Sequence, residues 1–331
     1  MNDPDDPPAP GVGNLRVFVL DDSRELGSRV CRELGLCASA HEEREFGDGE
    51  HKARPLVDVS ACDVYVLQSL HGDPLHSGND KLCRLLFFIG ALKDAAAARV
   101  TAVVPYLAYA RKDRRTQSRD PVTTRYVATL FEAVGTDAVM TVDVHNLAAF
   151  QNAFRCRTDH IETHALFAAA VAPCVGSRGV TVVAPDAGAT HRANLFRKAL
   201  AHELGVHVGA AFAEKYRSGG ELSGELLAGE VNGHDVVIVD DLIATGSTLA
   251  RTAASCLRRG AVRAFAVATH GLFTGDAAAV LGAGAIEKLL ATDTVPPFRL
   301  PHGRARDRLV IVGIAPVLAD AIRRAHAGCA A

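Results

Sequence analysis

Residues 236–249 read VVIVDDLIATGSTL, and this stretch decides which fold the chain can adopt. Its first four residues, 236–239, are apolar and mostly β-branched, which predicts a strand buried on both faces of a parallel sheet. Asp240 and Asp241 follow where that strand should end, and residues 249–259 predict a helix. Free N–H groups and the positive end of the helix dipole would both face the loop between them, so this order predicts an anion site.

The loop supplies side chains that suit a phosphorylated pentose. Thr245, Ser247 and Thr248 add hydroxyl donors, and Gly246 lets the backbone come close to a ligand. The paired aspartates suit the hydroxyls of a sugar, directly or through a hard cation such as Mg²⁺. The alternative is an ordinary strand–loop–helix unit with a capping hydroxyl. An apolar run, an acidic pair and TGST in this order are much less common by chance than a lone glycine motif.

Length and composition narrow the class of protein. The 331 residues are enough for two domains, and 48% hydrophobic with 22% charged residues is typical of a soluble globular protein. A net charge of −2 and the lack of a membrane-length apolar run predict no nucleic-acid and no membrane partner. Residues 1–13 lack signal-peptide features and are predicted to be a disordered tail. The eight cysteines form no CxxC pair or zinc-spaced cluster, so reduced thiols and a cytoplasmic location are expected.

Strand and helix patterns alternate along the chain, which predicts a doubly wound parallel sheet. In the first half, strands are predicted at 15–20, 63–68, 99–105 and 137–142, and helices at 24–35, 81–97 and 122–134. The second half repeats the plan, with strands at 179–184, 236–239, 262–269 and 308–312, and helices at 164–172, 190–204, 249–259 and 317–326. The predicted fold class is therefore α/β, with two similar doubly wound parallel-sheet domains at 14–158 and 159–331.

Two other strand ends carry polar side chains. Asp186 follows a strand and precedes a glycine and a helix start, and ligands of open α/β sheets bind at that edge. Asp143 and His145 occupy the same relative place in the first half. They could hold a Mg²⁺–nucleotide, with His145 donating to a phosphate oxygen. For His145 taken alone, the simpler interpretation is a structural histidine whose ring nitrogens are hydrogen-bonded within the protein.

Two cationic stretches are candidates for binding phosphates. Four cations in five residues, 111–115, follow a strand, and a polyphosphate site needs such a cluster. A solvated charge run is the commonest explanation of such a stretch. Lys215 and Arg217 precede Ser218, Gly219 and Gly220. This order predicts a mobile loop that closes over a transferring phosphoryl group.

Several longer motifs stand in one order along the chain. They read EFGDGE (45–50), NDKLCRLLFFIGALKDA (79–95), PYLAYARKDRRTQSRDPVTT (105–124), TVDVHN (141–146), VVAPDAGATHRA (182–193), EKYR (214–217) and VVIVDDLIATGSTL (236–249). The same motifs occur in the same order in the ribose-phosphate diphosphokinases, or PRPP synthetases, and the chain resembles this family. Its members have a type I phosphoribosyltransferase-like fold. The resemblance covers residues 15–327, whereas a simple phosphoribosyltransferase would match only the second half.

The resemblance implies a role for each matching residue. Lys215 and Arg217 match the family's catalytic flexible loop, and His145 and Asp186 match positions associated with the metal. The implied ATP-binding residues are Phe46, Asp48, Glu50, Arg111, Lys112, Asp113 and His145. The implied ribose 5-phosphate-binding residues are Asp240, Asp241, Thr245, Gly246, Ser247 and Thr248.

The family's reaction implies the partners of this chain. The C1 hydroxyl of ribose 5-phosphate attacks the β-phosphorus of ATP in line, which gives PRPP and AMP without a covalent intermediate. ATP, ribose 5-phosphate and Mg²⁺ are therefore expected to bind. The nucleotide side is assigned to residues 14–158 and the ribose 5-phosphate motif to residues 159–331. In the family the turn around Phe46 reaches the ATP of a neighbouring subunit, so a homo-oligomer is implied.

Three departures from the family pattern keep alternatives open. Ala244 stands where many members have an aspartate, Lys112 replaces a common glutamine, and residues 146–148 differ from the usual glycine-containing stretch. One alternative is a catalytically silent regulatory homologue, although such homologues usually lose the loop cations or the acidic pair. Another is a diphosphokinase for a different sugar phosphate. A type I phosphoribosyltransferase would need a nucleobase-recognising hood, for which the sequence gives no sign.

Overall fold

The computed structural model describes residues 14–176, 178–218 and 221–328, with side chains described for all of these except 214–218 and 221–226. The predicted tail, residues 1–13, lies outside the described residues. The first elements are β1 (Leu15–Val19), α1 (Arg24–Leu34), β2 (His41–Glu45), β3 (His51–Pro55), β4 (Asp63–Leu67), α2 (Gly78–Asp94), β5 (Arg99–Val104), α3 (Thr123–Ala133), β6 (Ala138–Val142), α4 (Leu147–Ala153) and β7 (Arg157–Ile161). They are followed by α5 (His164–Val171), β8 (Val180–Ala184), α6 (Thr190–Leu204), β9 (Val208–Ser218), β10 (Glu221–Ala228), β11 (Asp235–Ile243), α7 (Ser247–Arg258), β12 (Arg263–Gly271), α8 (Ala277–Gly282), β13 (Lys288–Thr292), α9 (Arg304–Asp307), β14 (Leu309–Val312) and α10 (Ala315–Ala327).

The chain divides into two compact units. The first comprises the chain up to Ile161 together with the segment from Ile314 onward, and the second is Glu162–Gly313. This division differs from the predicted boundary at 158/159, because α10 returns to the first unit. There the ring of His326 contacts Asp63 (2.7 Å), and Arg99 donates to the Ala325 carbonyl (3.3 Å).

The first unit is built on a five-stranded sheet in the order β1-β4-β5-β6-β7, in which every neighbouring pair is parallel. Its central strands are buried along nearly their whole length, which their runs of valine and alanine explain. The antiparallel hairpin β2–β3 forms a second, two-stranded sheet. The glycine-punctuated segment 45–50 is typical of a hairpin turn, and the structure confirms a turn there. The two strands were not predicted, because HEERE and HKARP are mostly polar on both faces.

The second unit contains a seven-stranded sheet in the order β10-β9-β8-β11-β12-β13-β14. All neighbours are parallel except β9 and β10. In β11, Val236 and Ile238 pack into one apolar cluster while Val237 and Val239 pack into another. The prediction that residues 236–239 form a strand buried on both faces is therefore confirmed, as is the α/β class with parallel sheets.

Two predicted features of the second unit need correction. The strand does not end before the aspartates, because β11 stays paired with β12 from Asp235↔Arg263 to Ile243↔Gly271. The prediction of a loop at Lys215 and Arg217 is also wrong for the backbone, since β9 extends to Ser218 and pairs antiparallel with β10. A polar strand lacks the hydrophobic signal that sequence patterning reads, and cross-strand pairing compensates for it. Within the described residues, no helix is long and apolar enough to cross a membrane.

Candidate functional site

The predicted pentose site of the second unit lies where β11 extends past β8. The β8 pairing with β11 reaches only Val183↔Ile238, whereas the pairing with β12 continues beyond Asp240. Asp240 and Asp241 therefore lie past the last paired residue on the β8 side. Parallel strands bind ligands at this carboxyl edge.

Asp186 comes to the same edge from β8 and is held there by its own cap. Its carboxylate accepts the backbone N–H of Ala189 at 3.1 Å, which fixes the short helical turn 187–189. Asp186 also acts electrostatically on Asp240. The structure thus brings together three predicted residues, Asp186, Asp240 and Asp241, that belong to two separate motifs.

This carboxylate cluster carries more negative charge than its surroundings stabilise. Burial is the largest cause that raises the pKa of Asp240 to about 8, and the neighbouring charges of Asp241 and Asp186 contribute to the same rise. Asp241 is itself only 4% exposed. A proton or a nearby cation would compensate this charge at neutral pH, and carboxylate oxygens are the ligands that a hard divalent ion prefers. The three carboxylates are not close enough together for all of them to bind one ion directly.

The TGST loop joins β11 to α7 and is shaped by its glycine. Gly246 has φ +76°, and a Cβ there would lie 2.6 Å from the Leu281 side chain, so no other residue fits without strain. The α7 helix begins at Ser247, two residues earlier than predicted. The hydroxyl of Thr245 donates to that of Ser247 at 3.0 Å, and the neighbouring Thr248 is half-buried in the first turn. The Ser247 N–H donates to the Thr245 hydroxyl at 3.4 Å. The start of a helix and several hydroxyls thus share one loop, as the sequence predicted.

In the first unit, the predicted adenine contacts lie together at the turn of the β2–β3 hairpin. The Phe46 N–H donates to the Glu50 carbonyl (2.9 Å), and the Glu50 N–H donates to the Asp48 carboxylate (3.1 Å). Phe46 is 38% exposed, with the Arg44 guanidinium 5.0 Å from its ring centroid. The turn therefore presents an exposed aromatic ring and two exposed carboxylates at the end of a hairpin.

The predicted phosphate segment, residues 111–113, follows β5 in a turn tied to the start of α3. The Thr124 N–H donates to the Lys112 carbonyl (3.3 Å), and the Thr124 hydroxyl donates to the Tyr109 carbonyl (2.9 Å). Arg111 and Lys112 are exposed, whereas Asp113 is half-buried. The turn thus leaves two cations open to a ligand.

Asn146 joins this segment to His145, and sequence reasoning did not assign it that role. Its amide donates to the Asp113 carboxylate at 2.7 Å while its carbonyl oxygen caps α4 by accepting the Ala149 N–H at 3.1 Å. The Val144 N–H donates to the ring of His160 at 3.1 Å. An asparagine directly before a helix is a known capping signal, so the cap was detectable, but the contact with Asp113 depends on tertiary structure.

Predicted metal residues are distributed over both units, since His145 lies in the first and Asp186 in the second. Among the described side chains, the one set of three donors close enough to share an ion is Asp21, His41 and Glu43, whose donor atoms lie within 4.8 Å of one another. The side chains of Lys215 and Arg217 lie outside the described residues. Their strand positions opposite Glu225 and Leu222 are described, but their proposed contacts are not.

Comparison with known proteins places matches along nearly the whole chain. Three family models match: the N-terminal domain of ribose phosphate pyrophosphokinase at residues 15–135, a phosphoribosyl transferase domain at 170–272 and a phosphoribosyl synthetase-associated domain at 224–330. The ribose-phosphate pyrophosphokinase of Caldanaerobacter subterraneus subsp. tengcongensis is 35% identical over 318 residues, which is 96% of each chain. That of Pasteurella multocida is 33% identical, covering 94% of this chain and 96% of its own. The crystal structure of phosphoribosylpyrophosphate synthetase from Mycobacterium smegmatis superposes with a TM-score of 0.83 at 32% identity, covering 94% of this chain and 98% of that one.

Proposed function

Because this chain belongs to the ribose-phosphate pyrophosphokinase family, we propose that its residues carry out the family's reaction in the roles that their motifs imply. The enzyme transfers the β,γ-diphosphoryl group of ATP to the C1 hydroxyl of ribose 5-phosphate. The C1 oxygen bonds to the β-phosphorus as the bond from that phosphorus to the α,β-bridging oxygen breaks, so AMP leaves and the hydroxyl proton is released. Positioning and electrostatic stabilisation supply most of the catalysis in such transfers.

The second unit is proposed to bind ribose 5-phosphate. Its 5-phosphate would accept hydrogen bonds from the N–H groups at the start of α7 and from Thr245, Ser247 and Thr248. Gly246 allows the backbone to approach the phosphate, because it alone fits the positive φ and the contact with Leu281. Asp240 and Asp241 would hold the ring hydroxyls, directly or through a cation. The observation that carries this proposal is the convergence of three carboxylates beside a helix N-terminus at one sheet edge.

The nucleotide is proposed to use residues of the first unit. Phe46 would stack on adenine, and Asp48 and Glu50 would accept hydrogen bonds from it or from the ribose. Arg111 and Lys112 would neutralise phosphate oxygens, and the contact between Asn146 and Asp113 keeps this segment beside His145. Lys215 and Arg217 are proposed to stabilise the charge that develops on the transferring group.

Mg²⁺ is the proposed cation, and the raised pKa of Asp240 supports the fit. When bound, Mg²⁺ supplies charge neutralisation of the phosphates and the sugar hydroxyls. Asp186 and His145 are the residues proposed as metal ligands, because their motifs match positions associated with the metal in the family. Without it, the three carboxylates share too much negative charge for all of them to be ionised near neutral pH.

Two further proposals concern the oligomeric state of the enzyme and its location in the cell. A homo-oligomer is proposed because Phe46, Asp48 and Glu50 lie exposed at the end of a hairpin, where a second copy can be reached. A cytoplasmic location is proposed because the seven described cysteines are free thiols, which a reducing compartment maintains.

The test is an assay with ATP, ribose 5-phosphate and Mg²⁺ that follows AMP and PRPP together. Equal amounts of the two products are expected, since one molecule of each forms per transfer. AMP without PRPP would mean hydrolysis. If ATP binds but no AMP appears, a regulatory homologue or another sugar phosphate would replace this proposal, and Ala244→Asp would be the first variant to make.

A further inference from the structure

The β2–β3 hairpin is held against its unit mainly by side chains on one face. It forms a sheet of its own, and a hairpin of two strands is marginally stable in water without such support. At its base, the Ser39 N–H donates to the Val17 carbonyl at 2.7 Å. Residues opposite one another share a face of the ladder, so His41, Glu43, Glu45 and His51 all point toward the unit.

Glu43 is the first contact of this face. Its Oε1 accepts the backbone N–H of Asp21 at 2.7 Å and lies 3.0 Å from His41 Nε2, while its Oε2 lies 3.2 Å from His51 Nε2. Its side chain is only 8% exposed. Burial alone would raise the pKa of Glu43, but hydrogen bonds from His41 and the Asp21 amide outweigh it and lower that pKa. The carboxylate therefore stays charged while it holds the hairpin to the end of β1.

Glu45 makes the second contact of this face, which is with the ring of His76. The His76 ring bridges two carboxylates, with Nδ1 at 2.8 Å from Asp22 and Nε2 at 2.7 Å from Glu45. Arg84 of α2 also donates to Glu45. The ring of His76 donates to both carboxylates only when it is doubly protonated, and Arg84 Nη1 also lies 3.5 Å from Nδ1. When protonated, this ring ties the hairpin to the turn that follows β1, and Arg84 ties it to α2.

Apolar packing does not replace these contacts near the turn. A cavity of about 640 Å³ lies between the hairpin and α2, and Phe87 and Leu75 at its wall are 64% and 84% exposed. Toward the base, His41 packs edge-on against Phe18 and lies near Phe88. The two glutamates therefore hold the part of the hairpin that leads to Phe46, Asp48 and Glu50.

We propose that Glu43 and Glu45 are positioning residues that fix the turn of the hairpin for nucleotide binding, and that His76 makes the docking through Glu45 depend on pH. The role in nucleotide binding rests on the proposed function, whereas the docking itself does not. The charged and polar groups that face His41 are Glu43, Asp21 and the Ser39 carbonyl, beside the rings of Phe18 and Phe88. Those that face His76 are Asp22, Glu45, Arg84 and Asp80.

The direction of the pH dependence follows from these neighbours. Burial would lower the pKa of His41 and of His76, but the hydrogen bonds with Glu43 and Asp22 outweigh it, and both values are raised above 6.5. The contact of Glu45 with His76 is then complete below pH 6.5 and is lost as the pH rises through the raised pKa of His76. Glu43 and Glu45 have pKa values lowered from 4.5, so they stay ionised throughout the docked range.

The experiment compares Glu43→Gln and Glu45→Gln with Glu42→Gln. Glu42 is the matched control, because it lies next to Glu43 on the opposite, exposed face, where it pairs with Arg54. Amide hydrogen exchange of residues 41–55 in EDTA is expected to lose about tenfold in protection in the two test variants. The KM for ATP should rise at least about threefold, with kcat and the KM for ribose 5-phosphate little changed. Glu42→Gln should leave all of these as in the unchanged protein.

Each outcome decides a separate part of the inference. Unchanged exchange protection in both test variants would overturn the docking, whatever the enzyme activity. Lost protection with an unchanged KM for ATP would overturn the positioning role and leave the proposed reaction intact. If there is no turnover, calorimetric affinity for ATP replaces the KM. The protection factor of the unchanged protein should fall between pH 6 and pH 8.5. It should fall less in His76→Gln, which has no ring to titrate. A protection factor of the unchanged protein that stays constant over this range would overturn the pH dependence.

Discussion

At the scale of single residues, Asp240 is a buried carboxylate of the proposed sugar site that lowers the stability of the ligand-free chain. Its pKa, raised to about 8 by burial and then by Asp241 and Asp186, means that the folded chain binds more protons than the unfolded chain between pH 3.8 and about 8. The free energy of unfolding should therefore fall as the pH rises through that window. A bound cation or sugar hydroxyls would remove this cost, which explains why such a group is kept at a ligand site.

We expect Asp240→Asn to stabilise the ligand-free protein at pH 8 while weakening its affinity for ribose 5-phosphate. The amide cannot ionise, so Tm should rise by about 2–4 °C, and affinity should fall at least about tenfold. Scanning calorimetry and isothermal titration measure the two effects. Asp276→Asn, an exposed aspartate of the same unit, is the control and should change neither. Native affinity in Asp240→Asn would remove this residue from the sugar site.

Gly246 offers a second test at the residue scale. Gly246→Ala should lose about 1–2 kcal/mol from the positive φ and a further 1–3 kcal/mol from the contact with Leu281. Gly233→Ala is the matched control, because Gly233 has φ +73° with no atom within 4 Å of an added Cβ. Urea unfolding of both variants separates backbone strain from steric overlap. Equal losses in the two variants would show that Leu281 can move aside.

At the scale of one element, α2 contains a buried ion pair that the sequence pattern does not reveal. Lys81 is fully buried, and its ammonium group contacts the carboxylate of Asp73. Burial would raise the pKa of Asp73, but hydrogen bonds from Lys81 and from the amides of His76 and Leu75 lower it to about 2. The contribution of this carboxylate to stability is therefore present above pH 3.8 and is lost as the pH falls toward 2.

Removal of the lysine should lower the free energy of unfolding, because the Asp73 carboxylate would then lack its cationic partner. Lys81→Met leaves Asp73 without its cation and should cost about 3–5 kcal/mol in the free energy of unfolding at pH 7. Lys93→Met on the same helix removes a surface pair with Asp137 and should cost less than about 1 kcal/mol. Urea unfolding is the measurement. In Lys81→Met, adding Asp73→Asn should recover part of the loss, and no recovery would mean that Lys81 stabilises by packing alone.

At the scale of the whole molecule, the end of the chain completes the first unit. Leu318 and Ile322 of α10 are fully buried, and the helix packs against α1 and β7. Each such side chain contributes about 1.5–3 kcal/mol when buried. The two compact units are therefore not two consecutive halves of the sequence.

Truncation after Gly313 should destabilise the first unit. Scanning calorimetry should show its transition lowered by at least about 6 °C, given two lost buried side chains and the usual dependence of Tm on free energy. Truncation after Gly328 keeps α10 whole and serves as the control. An unchanged first transition in the shorter chain would show that α10 adds nothing to the stability of the unit.

The sequence by itself determined the elements whose apolar residues repeat at a strand or helix period. The apolar run at 236–239, the alternation of strands and helices and the small-residue TGST loop gave the α/β class, the parallel sheets and the family. These signals are local, because burial on both faces and a positive φ each restrict the residue types at fixed positions. The family comparison then extended them over nearly the whole chain.

Only the tertiary structure decided which distant polar residues meet. The β2–β3 hairpin and the end of β9 at 214–218 are too polar to give a strand signal. The sequence of α10 also contains nothing that predicts its return to the first unit. The convergence of Asp186 with Asp240, and of Asn146 with Asp113, depends on which strands are neighbours in a sheet or which turns adjoin. Contacts across a long chain separation follow from the packing of whole elements, and the residues that make them carry no local pattern of their own.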